Sequence, residues 1–342
     1  MCGTPRIPLL AAALVASGTA WAETPMSYMR TFGPAGDPVT RLNWGLTAIS
    51  VAVTVIIGLL VLLAALRKRP PPQLDAQGRL PLGRGRGGMS WIYVGVAITV
   101  LILFASTIWN VRVLSAVSAP PQQPAFTVEI TAHQWWWEVT YPSDSPAQTM
   151  TTANEIHIPV GQPVLFKLKS ADVIHSFWIP RLGGKTDLIP GRTNQTWLQA
   201  DHAGRYRGQC AEYCGAQHAH MALYVVAEEP ARFAAWRQRQ LAAANPVESA
   251  NAQVAHGSEV FVNHCGVCHT VRGIAAHGRL GPDLTHLMSR ATIAAGLLDN
   301  NRGNLYGWIA NPQGLKSGSR MPRVALSPQE LQDVVAYLET LR

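Results

Sequence analysis

Two long apolar runs dominate the first third of the chain, Leu42 to Leu66 and Ser90 to Val113. Each exceeds the ~20 residues a helix needs to cross a hydrocarbon core, and neither carries an ionisable side chain before Arg112. They predict two membrane-spanning helices, over 42–66 and 90–113. The loop between them, 67–89, sets Arg67, Lys68, Arg69, Arg79, Arg84 and Arg86 against the single acid Asp75. A short loop this basic stays on the cytoplasmic side, so the spans form a hairpin with everything after residue 115 outside. Pro70 to Pro72 and the Gly-Arg repeats make the loop irregular. A shorter apolar run, Ile7 to Ala16, follows Arg6 and precedes Ala20-Trp21-Ala22. It is too short to span and reads as a secretory signal peptide over 1–22, with an external segment over 23–41.

Beyond the second span the period changes. Residues 114–124, with Pro120, Pro121 and Pro124, form an extended linker. Alternation then sets in at Phe126–Ile130, Glu155–Pro159, Val164–Leu168, Thr196–Leu198 and Ala222–Val226. Short period-2 runs separated by Gly, Pro and Asn predict an antiparallel β-sandwich over 125–228. A helical linker follows over 229–250, where Pro230 to Ala244 is rich in helix formers with Phe233, Trp236 and Leu241 on a loose apolar face. Ser327 and Glu330 are spaced for a capping box at the head of a helix to Leu338. That helix would close a small all-α domain over 251–342.

Composition narrows the function classes. The 342 residues, 48% of them hydrophobic, leave room for about two globular domains beside the membrane segments. The net charge of +8 sits largely beside the apolar runs, and no basic cluster is interleaved with a recognition helix, so no nucleic-acid partner is expected. The 5 cysteines fall as a lone Cys2 and two close pairs, which is not a disulfide framework.

The first pair lies in Cys210-Ala-Glu212-Tyr-Cys214-Gly-Ala-Gln-His218-Ala-His220-Met221. Soft sulfur with imidazole is a copper ligand set. Two thiolates four residues apart can bridge two metals, each capped by an imidazole and a weak ligand, with His175 of Asp172-Val-Ile-His175 as the second histidine. A disulfide or a tetrahedral zinc site are the alternatives, and His220 is a further candidate ligand. The thioether of Met221 favours copper. The second pair, Cys265-Gly-Val-Cys268-His269, is the attachment signature of a c-type haem, with His269 as an iron ligand. Met321 is the expected sixth ligand, with His256, His264, His277, His286 and Met288 as competitors. No nucleophile–base pair, phosphate loop or substrate pocket accompanies either centre.

The motif Cys-x-Glu-x-Cys-Gly-x-x-His-x-x-Met, preceded by Asp172-Val-Ile-His175-Ser, resembles subunit II of cytochrome c oxidase with its binuclear CuA centre. Gly184 to Gln195 and His133-Gln-Trp135-Trp136-Trp137 extend the resemblance over roughly residues 40–228. It implies a cupredoxin fold, Cys210 and Cys214 as bridging thiolates, and His175, His218, Met221 and the Glu212 carbonyl as the other ligands. It further implies a magnesium ion on the Glu212 carboxylate at the subunit I interface, and Trp135 as the point where electrons arrive. If 133–137 is a regular strand, Trp136 faces away from Trp135 and Trp137, and at least one ring lies outside. The second span departs from the family in lacking a glutamate and a proline near Met89 to Tyr93.

Residues 251–342 resemble class I cytochrome c, through Gly281-Pro282 and the later Met321-Pro322. That resemblance implies that the Pro282 carbonyl orients His269. The fusion resembles caa3-type oxidases. It implies an electron-input subunit in the inner membrane, with its soluble domains on the periplasmic side. The implied partners are subunit I, other oxidase subunits, and a donor such as a cytochrome c or quinol–cytochrome c reductase. An electron-input subunit of a related nitric oxide reductase and a membrane-tethered carrier are the other readings.

Overall fold

A computed structural model describes residues 24–68, 88–244 and 251–342. The expected signal peptide over 1–22, most of the basic loop and the last part of the helical linker lie outside the described residues. Helix α1 covers Asp37–Leu66 and α2 covers Gly88–Ser118. Both overrun the apolar segments. Asp37 and a proline in the first turn start α1 before the apolar run. Helix α2 continues past Val113 until Pro120 and Pro121 end it. Along both helices the large apolar side chains point outward, Leu60, Leu63, Leu101 and Phe104 among them. The helices touch where Gly45 lets the Trp109 ring close on α1. Both are long and apolar enough to cross a membrane.

The sandwich stands directly on this hairpin. The indole of Trp197 donates to the Val117 carbonyl near the end of α2 (2.9 Å). The segment before α1 is stitched in by Phe32 N–H to Arg181 O (2.8 Å) and Asp201 N–H to Phe32 O (2.9 Å).

Its strands are β1 Thr127–His133, β2 Trp136–Tyr141, β3 Met150–Ala153, β4 Glu155–Pro159 and β5 Val164–Ser170. They continue with β6 His175–Phe177, β7 Thr186–Leu188, β8 Asn194–Leu198, β9 Gly204–Gln209 and β10 Ala222–Glu228. One sheet runs β3-β2-β1-β5-β8, the other β4-β10-β9, and β6 pairs with β7. The sheets are mixed where alternation predicted antiparallel pairing throughout: β1 runs parallel to β5 and β4 parallel to β10. The chain leaves the first sheet to make β4 in the second, so it re-enters beside β1 in the same direction. Local alternation carries no information about such crossings. Ile130, Trp137, Ile156, Phe166, Leu168 and Phe177 form the core between the sheets.

Helix α3, Pro230–Leu241, packs Phe233 and Trp236 onto that core. The Trp236 ring stacks on His157 (4.1 Å) and the Phe233 ring on Phe126 (5.3 Å). The C-terminal domain contains α4 Ala252–His264, α5 Arg302–Ala310, α6 Pro312–Leu315 and α7 Pro328–Leu338, with two short hairpins. Helices α4 and α7 pack through Val260, Phe261, Val334, Val335 and Tyr337. The capping box forms: Glu330 N–H donates to Ser327 Oγ (3.2 Å) and Ser327 N–H to Glu330 Oε2 (2.7 Å).

His157 lies between Glu155 (3.1 Å) and Glu228 (2.9 Å) under Trp236. Burial disfavours its charged form, but the two carboxylates outweigh burial and raise its pKa above 6.5. The imidazole in turn holds both carboxylates below their ordinary range. The imidazolium therefore stabilises the fold fully below pH 6.5, and the contribution is lost as pH rises through the raised folded value. The carboxylates set the acid limit, since their contribution is lost as pH falls through their lowered values. Thermal denaturation of the purified chain should show stability declining above pH 6.5, a slope that His157→Asn flattens. At pH 6.5 that variant should be less stable by about 2 kcal/mol, the scale of a charge-assisted hydrogen bond.

Candidate functional site

The loop from β9 to β10 carries Cys210, Cys214, His218 and Met221, and β6 brings His175 to it from a different part of the sandwich. Backbone bonds hold the loop at both ends. Cys210 N–H donates to Met221 O (3.0 Å) and Ala211 N–H to Ser176 O (3.0 Å). The Gln209 amide donates to His218 O (3.0 Å). Cys210, Cys214, Met221 and His175 are buried, and His218 is half-buried.

The donors fall into two groups around the sulfurs, which stand 3.8 Å apart as free thiols. Around Cys210 Sγ are His175 Nδ1 (3.8 Å) and the Glu212 carbonyl (3.3 Å). Around Cys214 Sγ are His218 Nδ1 (3.6 Å) and Met221 Sδ (3.9 Å). Sulfur–nitrogen separations of this size suit two bonds of about 2.0–2.3 Å meeting at one metal. The pair is also electrostatically unbalanced. Donation from the Cys214 thiol, reinforced by His175, pulls the Cys210 pKa far down against the effect of burial. Once Cys210 is ionised, Cys214 is pushed far up. Two thiolates side by side therefore need a cation between them, and the donor set fits one.

Asp172 orients the first histidine. Its Oδ1 lies 2.8 Å from His175 Nε2, which leaves Nδ1 facing Cys210. Its Oδ2 accepts the Gln134 N–H (2.7 Å). Burial raises the Asp172 pKa, but His175 and the Gln134 and Val173 N–H groups reverse that and lower it. This residue stood in the motif, yet nothing in the spacing pointed to its role. His220 stays outside the cluster, exposed and bonded to Gln217 (2.7 Å). The Glu212 side chain is also exposed.

The three tryptophans do not form one strand. β1 ends at His133 and β2 begins at Trp136, so Trp135 lies in the turn between them. Its indole N–H donates to Cys214 O (3.0 Å), joined by the Gln134 side chain (2.8 Å), and the ring is buried against the metal loop. Trp137 is core, and Trp136 is half-buried and stacked on His133 (4.4 Å). Trp136 and Trp137 alternate between the two faces of β2 as expected, and only Trp135 departs, because the turn interrupts the strand.

In the C-terminal domain, α4 ends at His264, and Cys265 N–H donates to Phe261 O (2.8 Å). The next turn returns Cys268 N–H (3.0 Å) and His269 N–H (2.9 Å) to the Cys265 carbonyl. This brings both thiols and the imidazole to one side. His269 Nδ1 donates to Pro282 O (2.8 Å), leaving Nε2 free for a ligand. A Cβ at Gly281 would lie 2.6 Å from the His269 ring, so only glycine allows that approach. Met321 is half-buried against the domain core, its loop held by the Gln313 amide donating to Ser319 O (2.7 Å) and Met321 O (2.8 Å). Among the competitors, His256 is bound to Asp333 (2.8 Å). His286 uses both nitrogens on the carbonyls of Arg342 (2.7 Å) and Ala242 (3.0 Å). His264 and His277 are exposed.

Fold and sites define a class: a membrane-anchored electron-transfer protein with a copper-type β-domain joined to a haem-binding α-domain. Residues 143–228 match the family model for the periplasmic domain of cytochrome c oxidase subunit II, and 254–342 match that for cytochrome c. Cytochrome c oxidase subunit 2 of Alkalihalophilus pseudofirmus is 35% identical over 302 residues, 85% of this chain and 83% of that protein. The same subunit of Bacillus sp. PS3 is 31% identical over 74% of this chain and 73% of its own length. The crystal structure of the periplasmic domain of cytochrome oxidase subunit II of Bradyrhizobium japonicum aligns at 32% identity with a TM-score of 0.33, covering 35% of this chain and 95% of that one.

The chain belongs to the cytochrome c oxidase subunit 2 family. It is a membrane protein and an electron-input subunit of an oxidoreductase complex, with copper held in the β-domain and haem c in the α-domain.

Asp172→Ala should lower copper affinity about 10–100-fold, the usual cost of removing the group that orients a ligating histidine. Competition titration of the purified chain against a copper chelator measures it, and an unchanged affinity would mean that His175 needs no such support.

Proposed function

We propose that this subunit receives electrons from a donor such as a cytochrome c or quinol–cytochrome c reductase and passes them through haem c and a binuclear copper centre to subunit I, which reduces oxygen to water. The observation that carries this reading is the division of donors around the two sulfurs, with His175 and the Glu212 carbonyl at Cys210, and His218 and Met221 at Cys214. In this reading Cys210 and Cys214 would supply the thiolates and His175, His218, Met221 and the Glu212 carbonyl the remaining ligands of the copper. Bound there, copper would supply one-electron redox chemistry. The chain's own part is to hold the ligands still: β6 and the β9–β10 loop are cross-bonded.

In the second domain, Cys265 and Cys268 would hold the haem covalently, and His269 and Met321 would ligate its iron. Pro282 fixes the imidazole plane through its bond to Nδ1. Trp135 is the assigned route between the centres, since its indole touches the metal loop through Cys214 O. The outward carboxylate of Glu212 offers a magnesium ion one ligand toward subunit I. The outward apolar faces of α1 and α2 suit packing on the helices of that partner. Residues 1–22 are assigned as a signal peptide, and both soluble domains to the periplasmic side.

Elemental analysis and electron paramagnetic resonance of the purified chain test the metal assignment. The expected result is two coppers and one iron per chain, with one electron shared over both coppers. One copper, or zinc, would overturn the binuclear reading. Met321→Ala should leave the haem covalently attached while removing its low-spin Met/His spectrum and lowering the iron potential. An unchanged spectrum would assign the sixth position to another side chain.

A further inference from the structure

The two domains meet where the loop carrying Met321 rests on the loop carrying Cys214, His218 and Met221. At the centre of this seam is Lys316, a lysine only 3% exposed. Its ammonium donates to the carbonyls of Trp135 (2.9 Å) and His220 (2.8 Å) in the β-domain and of Ala294 (2.9 Å) in its own domain. Three acceptors use all three N–H donors of a protonated amine. Burial opposes the charge and draws the amine down to about 7, so the carbonyl cradle works against a real desolvation cost. An apolar side chain would fill this position without that cost, but it could not tie three backbones together.

The flanking residues extend the same contact. Ser317 O accepts the Gln217 amide (2.7 Å), and Gln217 is the residue before His218. The backbone at Gly318 crosses the edge of Trp135, where an added Cβ would lie 3.7 Å from the indole. Arg320, next to Met321, reaches Asp172 at 3.6 Å, the carboxylate that orients His175. Ala222 N–H donates to Ala295 O (3.0 Å). Ala294 and Ala295 hold positive φ angles of 54° and 60°. Alanine avoids that region unless its surroundings hold it there, and here the two carbonyls are aimed at Lys316 and at Ala222. Lys316 is thus bonded to the β-domain within five residues of the expected iron ligand and beside the indole that touches the metal loop.

We propose that Lys316 is a positioning residue for electron transfer between the two centres: it locks the Met321 loop onto the Cys210–Met221 loop, so that the cytochrome domain serves as a fixed relay and not as a swinging arm. This rests on the haem and copper assignments above. In the step it positions, one electron leaves the ferrous haem, which becomes ferric, and reduces the copper pair by one electron, with no atom transferred. A fixed relay needs no redocking between turnovers, and its internal rate depends on the seam alone.

The test follows internal haem-to-copper transfer in the purified, metal-loaded full chain after rapid electron injection, across a glycerol series. The wild type should show a rate independent of viscosity. Lys316→Met should keep the haem and copper spectra while its rate falls severalfold and becomes slower still as viscosity rises. Hydrogen exchange read at the Ala222 amide, whose partner is Ala295 across the seam, should be slow in the wild type and fast in the variant, with or without metal. A wild-type rate that falls with viscosity would overturn the proposal whether or not the variant folds. So would a variant with normal rate, viscosity independence and Ala222 protection. A wild type lacking the copper or haem spectrum would instead overturn the assignments on which the proposal rests.

Discussion

Two buried sulfurs 3.8 Å apart impose the main constraint on this molecule. Ionising one makes it costly to ionise the other, so the site is stable as a dithiolate only around a cation. That cation must find its remaining ligands already in place. The β-sandwich meets this requirement by drawing its ligands from two places, β6 for His175 and the β9–β10 loop for the rest, and cross-bonding them through Ser176, Gln209 and Met221. Relaxation of the loop would separate the sulfurs from their imidazoles. The Trp137 and Phe177 rings packed behind His175 oppose such relaxation.

Charged groups do the joining elsewhere in the fold. Glu155 binds His157 inside the β-domain and accepts the Ala291 N–H of the cytochrome domain (3.2 Å). Arg272 donates to the carbonyls of Gln240 and Leu241, tying the cytochrome domain to the end of α3. Lys316 repeats the device at the centre of the seam. Each sets a charge against several fixed partners, N–H donors for Glu155 and backbone carbonyls for Arg272 and Lys316. Such contacts specify one relative placement of the domains, whereas an apolar surface would tolerate several.

The membrane hairpin obeys a different rule. Its helices pack on each other chiefly near Gly45 and Trp109 and leave their remaining apolar faces outward. Such faces are stable in lipid or against other spanning helices. Trp197 ties the sandwich to the end of α2 and Phe32 ties it to the segment before α1, so the β-domain is held against one end of the hairpin.

Much of this was legible in the chain. Apolar length predicted both long helices, since that pattern depends on local composition alone. The candidate ligands were legible because each set is mostly one short motif, and one turn brings the Cys268 and His269 N–H groups back to the Cys265 carbonyl. Ser327 and Glu330 encode their own cap. What the sequence could not show were relations between distant segments. The parallel pairing of β1 with β5 depends on the route of the chain between sheets. The place of Trp135 depends on a turn that three consecutive tryptophans hide. Asp172 and Lys316 have ordinary local surroundings, and each acquires its role from partners far along the chain: Gln134 for the first, Trp135 and His220 for the second. Only tertiary structure decides such contacts, because a side chain's periodicity reports which face it occupies and not what will meet it there.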